Sequence, residues 1–399
     1  MGTTIEPFLF SRRTNWPLES NRLTVDLQCL REKGELLLDL TESNPTHCGF
    51  HYSQESVLKP LSDKRSLDYK PSARGDFRAR EAVSRYYEEK GSRVSPERIF
   101  LTASTSEAYS YLFRLLANPS DHVLFPCPSY PLFSFLGNLN DVRMENYPLV
   151  YDGKWGIDLQ AVQGLFCADT RAFVLVSPNN PTGSFVKRQE LEELNVLCGL
   201  HNTALVCDEV FTDFSFDKGQ GRFSLVDNDQ VLTFVLGGIS KTLGLPQMKL
   251  SWIVINGPEG LVKKAGSRLE VIADTYLSVN TPVENALASW LSRRKEIQKE
   301  INLRLRQNFA FLKKETGKTR DCELLPAEGG WYAVVRIPDT FNEEEWVLAF
   351  LNKDHIFVHP GYFFDFDREA FIVMSLLPSG QIFQEGVRRI LRRISGKEL

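Results

Sequence analysis

Short runs of consecutive apolar residues, rich in β-branched and aromatic types, recur through the middle of the chain. They are RIFLT at 98–102, HVLF at 122–125, AFVLVS at 172–177, ALVCD at 204–208, LTFVLGG at 232–238 and SWIVIN at 251–256. Runs that are apolar throughout, with no alternation, mark strands covered on both faces. Longer amphipathic segments lie between them, among them 106–116 and 188–200. Crossovers of that length join parallel neighbours, so the pattern predicts an α/β fold: a large domain with a mostly parallel sheet covered by helices.

From about Val283 the texture changes to a long charged helical stretch, SWLSRRKEIQKEINLRLRQNFAFLKKE, followed by short strand-like runs (WYAVVRI, IFVHP, FIVMSL) and terminal helices. This predicts a second, small α+β domain. The opening segment carries Pro7, Pro17, an amphipathic stretch at 21–33 and then LLLDLTESNP, too little to fold alone. The expected division is therefore 1–45 as an N-terminal arm and part of the small domain, 46–290 as the large domain and 291–399 as the small C-terminal domain.

Composition narrows the function classes. With 47 Lys+Arg against 51 Asp+Glu the net charge is −4, so no broad basic surplus draws the chain to nucleic acid or anionic lipid. No apolar stretch approaches the ~18 residues that a membrane span needs. The N-terminus has neither a signal-peptide core nor a myristoylation pattern, since Glu6 stands where Ser or Thr is required. Seven cysteines without CxxC spacing read as reduced thiols, and six histidines without HExxH spacing predict no metal. The expectation is a cytoplasmic protein with no nucleic-acid or membrane partner.

The chemistry-bearing residues fall at the carboxyl ends of the predicted strands, where open parallel sheets bind ligands. RIFLT runs into Ala103, Ser104, Thr105 and Ser106 at a helix start, a seat for phosphate or an ordinary hydroxyl cap. AFVLVS runs into the proline-fixed turn PNNPTG, which holds Asn180 at the sheet edge or is simply a turn. ALVC ends in Asp208 and Glu209, and LTFVLGGI in Ser240 and Lys241, where a desolvated, nucleophilic amine or a surface lysine would sit.

The order and spacing of these four features, with the core SPNNPTG…DEVF…SKTLGLP, resemble the fold-type I pyridoxal-phosphate enzymes, specifically class I/II aminotransferases, from about Asp39 onward. The resemblance implies a seven-stranded sheet in the large domain, pyridoxal 5′-phosphate as cofactor and 46–290 as its binding domain. It implies catalytic roles for Lys241, which forms an aldimine with the cofactor and shuttles the substrate's α-proton, and for Asp208, which keeps the pyridine nitrogen protonated. Asn180 matches the hydrogen-bond donor to the ring O3′ and Tyr130 the aromatic that stacks on the ring. Ser104, Thr105 and Ser106 match the phosphate turn, joined at the cofactor by Ser240 and Lys249. Tyr69 matches a tyrosine that reaches the neighbouring subunit's cofactor, which implies a homodimer with shared active sites.

Several positions depart from that family's pattern. Phe211 stands where a tyrosine commonly bonds O3′, Lys249 where an arginine holds the phosphate, and Gly238 where a phosphate-binding serine is frequent. In FIVMS, Val373 takes the place of the arginine that clamps the substrate α-carboxylate, and an apolar side chain cannot pair with a carboxylate. A shifted strand, a cation from the arm (Arg12, Arg13 or Arg22), or a substrate that is not an ordinary α-amino acid would each account for it. His359, Trp331, Tyr332 and the run Tyr362, Phe363, Phe364 are further pocket candidates, with core packing the alternative for the aromatics. The resemblance implies transfer of an amino group between an amino acid and a 2-oxo acid. A pyridoxal-phosphate lyase or synthase on the same fold, or a non-catalytic regulator, is the alternative.

Overall fold

The β-branched and aromatic runs form strands because both of their faces find helices to pack against. The structure, a computed structural model, describes residues 9–216, 222–366 and 370–396. Its strands are β1 Leu38–Asp39, β2 Ile99–Thr102, β3 His122–Cys127, β4 Arg143–Tyr151, β5 Trp155–Ile157, β6 Thr170–Val176 and β7 Ala204–Asp208. They continue as β8 Thr233–Gly238, β9 Ser251–Asn256, β10 Glu323–Leu324, β11 Tyr332–Arg336, β12 Ile356–Phe357, β13 His359–Pro360 and β14 Phe371–Ser375.

The main sheet has the order β2-β9-β8-β7-β6-β3-β4-β5 among the described residues. It is parallel from β8 through β4, while β9 runs antiparallel to both β2 and β8. The sheet thus has eight strands where seven are predicted. The additional edge strand, β5, is only three residues long and lies outside the apolar runs of the sequence.

Side chains alternate between two apolar layers, as the two-residue period of a strand requires. In β7, Leu205 and Cys207 enter the layer under helices Phe77–Glu88, Arg188–His201 and Thr281–Ser292. Ala204 and Val206 enter the opposite layer, under helices Thr105–Leu116 and Glu259–Tyr276. The next residue in that second series is Asp208, so strand geometry alone decides which face it meets.

The second sheet has the order β10-β11-β14-β13, all antiparallel, with helices Arg294–Thr316, Glu343–Asp354 and Gly380–Ile394 packed around it. The N-terminal segment packs against it: β1 pairs with β12 in a separate two-stranded parallel sheet, and Leu23, Leu27 and Leu40 are buried in the same core. Before that, the arm crosses to the large domain, where Trp16 packs edge-on against Phe135 of helix Phe133–Leu139 with ring centroids 5.2 Å apart. No helix among the described residues is long and apolar enough to cross a membrane.

Candidate active site

Asp208 ends β7 facing helix Thr105–Leu116, and the helix answers it with Tyr109, whose hydroxyl donates to Asp208 Oδ2 at 3.3 Å. The Val210 N–H donates to Oδ1 at 3.1 Å. Burial nevertheless dominates and raises the carboxyl's pKa to about 6, against the opposing pull of these two donors and of the Lys241 charge. Tyr109 is buried far enough that its own pKa stands well above the ordinary value, so it remains a donor. Next door, Glu209 accepts from Ser224 Oγ at 2.6 Å and from the Leu225 N–H at 2.7 Å; it turns away and fixes a loop.

Lys241 lies on the short helix Ile239–Thr242 that follows β8, the strand next to β7. Its ammonium stands 4.8 Å from the ring centre of Trp331 and 5.5 Å from that of Phe211. Burial lowers its pKa to about 8, only partly offset by Asp208. An amine so placed is neutral in a substantial fraction of molecules near physiological pH, which is what a nucleophile or a base requires. Trp331 immediately precedes β11, so the small sheet supplies part of the floor beneath the lysine.

Asn180 is buried in the turn after β6, and its Oδ1 has no hydrogen-bond partner among the described residues. Tyr130 follows the β3 end, half-exposed, and feels the Asp208 charge, while burial raises its pKa. Opposite it, Tyr332 packs edge-on to Phe211 at 6.4 Å, and Ser43, Tyr130 and Glu42 lie around its hydroxyl. Lys241, Asp208, Asn180 and Tyr130 therefore converge at the carboxyl ends of four neighbouring parallel strands, walled on the far side by Tyr332 and Ser43.

At the start of helix Thr105–Leu116, Ser104 is the cap: its Oγ accepts from the Glu107 N–H at 3.1 Å, and Glu107 Oε2 takes the Ala103 N–H at 2.7 Å. Thr105 and Ser106 occupy the first turn, partly buried, as does Ser240 beside the lysine. Lys249 is exposed with a left-handed backbone (φ 51°) two residues before β9. Tyr69 stands apart: it is 76% exposed and borders a surface hollow with Ser72, Leu277 and Glu284.

The arm arginines are not brought to this cleft. Arg13 is ion-paired with Asp141, just before the first residue of β4, at the amino ends of the parallel strands. The cleft lies at their carboxyl ends, roughly 20 Å away for a six-residue strand. Arg22 opens helix Arg22–Glu32 and borders a hollow with Phe341, Trp346 and Arg393. Val373 is fully buried on β14, opposite Val334 and His359, in an apolar cluster with Trp155 and Phe364. His359 sits among Phe357, Phe363 and Phe364, and burial lowers its pKa to about 4, so it is neutral.

The donor set fits pyridoxal 5′-phosphate. The desolvated Lys241, the ionisable Asp208 and the hydroxyl-bearing helix start are what its aldehyde, ring nitrogen and phosphate would each require, and the buried Asn180 side chain carries an amide N–H that could serve its ring oxygen. Tyr109 is the functional residue that sequence reasoning missed. The signal available was its place one turn into the helix whose start carries the hydroxyls. Trp331 carries both readings offered for it, fully buried and also directly under the lysine.

Residues 37–388 match the family model for aminotransferase class I and II. The glutamate-pyruvate aminotransferase of Escherichia coli K12 is 27% identical over 273 residues, covering 68% of this chain and 67% of that protein. An S-alkyl-thiohydroximate lyase of Arabidopsis thaliana is 28% identical over 214 residues, 52% of this chain and 45% of that one. Among solved structures, an aminotransferase from Escherichia coli superposes with a TM-score of 0.87 at 23% identity, covering 99% of this chain and 100% of that chain.

Proposed function

Because the chain belongs to the class I and II aminotransferase family, we propose that Lys241, Asp208 and Asn180 carry a pyridoxal-phosphate-dependent transfer of an amino group between an amino acid and a 2-oxo acid. The observation that carries this reading is the placement of a desolvated amine and a buried carboxylate at the carboxyl ends of adjacent strands, with the buried Asn180 amide at the end of the next. When bound, the cofactor draws electrons from the substrate's α-carbon as its C–H bond breaks.

The chain's own groups do the rest. Neutral Lys241 takes a proton at the α-carbon and returns one, and its aromatic floor of Trp331 and Phe211 keeps water from levelling its basicity. Asp208, ionised at neutral pH with a pKa of about 6 and held in place by Tyr109 and the Val210 N–H, would pair with the cofactor's ring nitrogen. Tyr130 would cover the ring, and Ser104, Thr105, Ser106, Ser240 and Lys249 would hold the phosphate. In this reading 46–290 is the cofactor-binding body and 291–399 with the segment 1–45 the smaller unit. The burial of Leu23, Leu27 and Leu40 in the core of the small sheet supports that grouping. The exposure of Tyr69 fits a role toward a second copy in a cytoplasmic homodimer.

A panel of amino acids, each offered with a 2-oxo acid, tests the activity. Formation of the new amino acid without release of ammonia is the expected result. Release of a sulfur leaving group or ammonia with no amino product would favour the lyase alternative, which the Arabidopsis relative keeps in view.

A further inference from the structure

Gly237 and Gly238 close β8 opposite Trp252 and Ser251 of β9. A Cβ on Gly237 would meet the Trp252 indole, 2.5 Å from Nε1. A Cβ on Gly238 would fall on the Ser251 hydroxyl, only 3.1 Å from Ser251 Cβ. Each glycine therefore makes room for one side chain of the next strand, on opposite faces of the sheet. Trp252 belongs to the layer under helix Phe77–Glu88, where its Nε1 donates to the Tyr87 hydroxyl at 3.0 Å.

Ser251 consequently faces the other layer, with Phe100, Leu236 and Ile253, the face that carries Asp208 and lies under helix Thr105–Leu116. It is 2% exposed and stands in a cross-strand row, with Thr102 on one side and Gly238 on the other. Cross-strand neighbours lie about 5 Å apart. Thr102 leads into the hydroxyl-bearing turn, and its own hydroxyl donates to the Ser104 carbonyl at 3.1 Å. Gly238 leads into Ser240 and Lys241. The Ser251 hydroxyl thus sits between the helix start and the lysine segment, in the volume that a side chain at 238 would otherwise fill.

We propose that Ser251 supplies a hydroxyl that holds the cofactor's phosphate, and that Gly238 is the residue that admits it. The assignment rests on the cofactor reading above. A phosphate dianion removed from water needs a full set of donors, and Gly238 offers no side chain, so the neighbouring strand provides the group from across the ladder.

The test is cofactor uptake by the apo-protein, measured by equilibrium titration with pyridoxal 5′-phosphate and, in parallel, with pyridoxal, which lacks the phosphate. Ser251→Ala keeps the Cβ and leaves no void. It is expected to weaken pyridoxal 5′-phosphate at least about tenfold, as loss of a hydrogen bond to a charged group does, while pyridoxal affinity stays unchanged. The exchange Gly238→Ser with Ser251→Gly returns one hydroxyl to the same volume and is expected to restore most of the affinity. Unchanged pyridoxal 5′-phosphate affinity in Ser251→Ala, or equal losses for the two compounds, overturns the assignment. Wild-type protein that takes up neither compound removes the cofactor reading itself, and the role of Ser251 with it.

Discussion

Replacing Asp208 by Asn is expected to stabilise the cofactor-free protein above neutral pH while weakening its hold on cofactor. In the folded chain the carboxyl has a pKa of about 6, against an ordinary value of 3.8, because burial outweighs its two hydrogen bonds. The folded state therefore keeps a proton that the unfolded chain has already released, and stability falls as pH rises from about 4 through 6. Roughly two pH units at about 1.4 kcal/mol each put the full cost of the buried charge at ~3 kcal/mol. Asn removes the charge, keeps an oxygen for the Val210 N–H, and leaves the Tyr109 hydroxyl free to rotate and accept. Below pH 8 the gain shrinks, because Lys241, no longer attracted by Asp208, bears its own charge at greater cost. Urea unfolding of apo-protein at pH 4 and pH 9 reads this directly: near equality at pH 4 and an advantage for Asn of about 1–3 kcal/mol at pH 9. Saturating pyridoxal 5′-phosphate should reverse the order at pH 9, since only the carboxylate pairs with a protonated ring. An Asn variant whose stability relative to wild type does not change with pH would refute the account of Asp208 as a buried charge kept for a ligand.

Lys241→Ala is expected to abolish borohydride fixation of the cofactor, checked by peptide mass spectrometry; modification of any other lysine in the wild type would count against the assignment. Phe211→Tyr places a hydroxyl on the ring beside the lysine and is expected to lower the pH midpoint of the cofactor's absorbance change by about one unit, read by spectrophotometric titration. Arg12→Ala with Arg13→Ala should leave the KM for amino donors unchanged, because Arg13 is committed to Asp141 at the far end of the sheet; a tenfold rise would return the arm to the active site. Mixed dimers of Tyr69→Phe and Lys241→Ala chains should regain activity beyond that of either homodimer if Tyr69 serves the partner's site.

How much of this was legible in the sequence can be followed residue by residue. Asn180, Asp208 and Lys241 stand out in the sequence because each follows an apolar run, but each alone also reads as a turn, a cap or a surface residue, and their roles come from the resemblance to the class I/II aminotransferases. The long buried strands were legible because an uninterrupted apolar run marks a strand covered on both faces. The edge strand β5 was not, because three residues beside a glycine carry no periodicity. Tyr109 was passed over because a tyrosine amid helix residues reads as core, and it is core by every measure except its hydroxyl.

The sequence by itself determined the strand and helix pattern and the order of the chemical groups along it, since these follow from local periodicity. Only the tertiary structure decided which distant residues meet. The floor of Lys241 comes from Trp331, 90 positions on. The arm's Arg13 goes to Asp141 and not to the cleft, and the space of a missing side chain at 238 is taken by Ser251 from the next strand. These pairings depend on sheet order, register and the volume left between packed elements, and such quantities exist only once strands far apart in the chain have been set side by side.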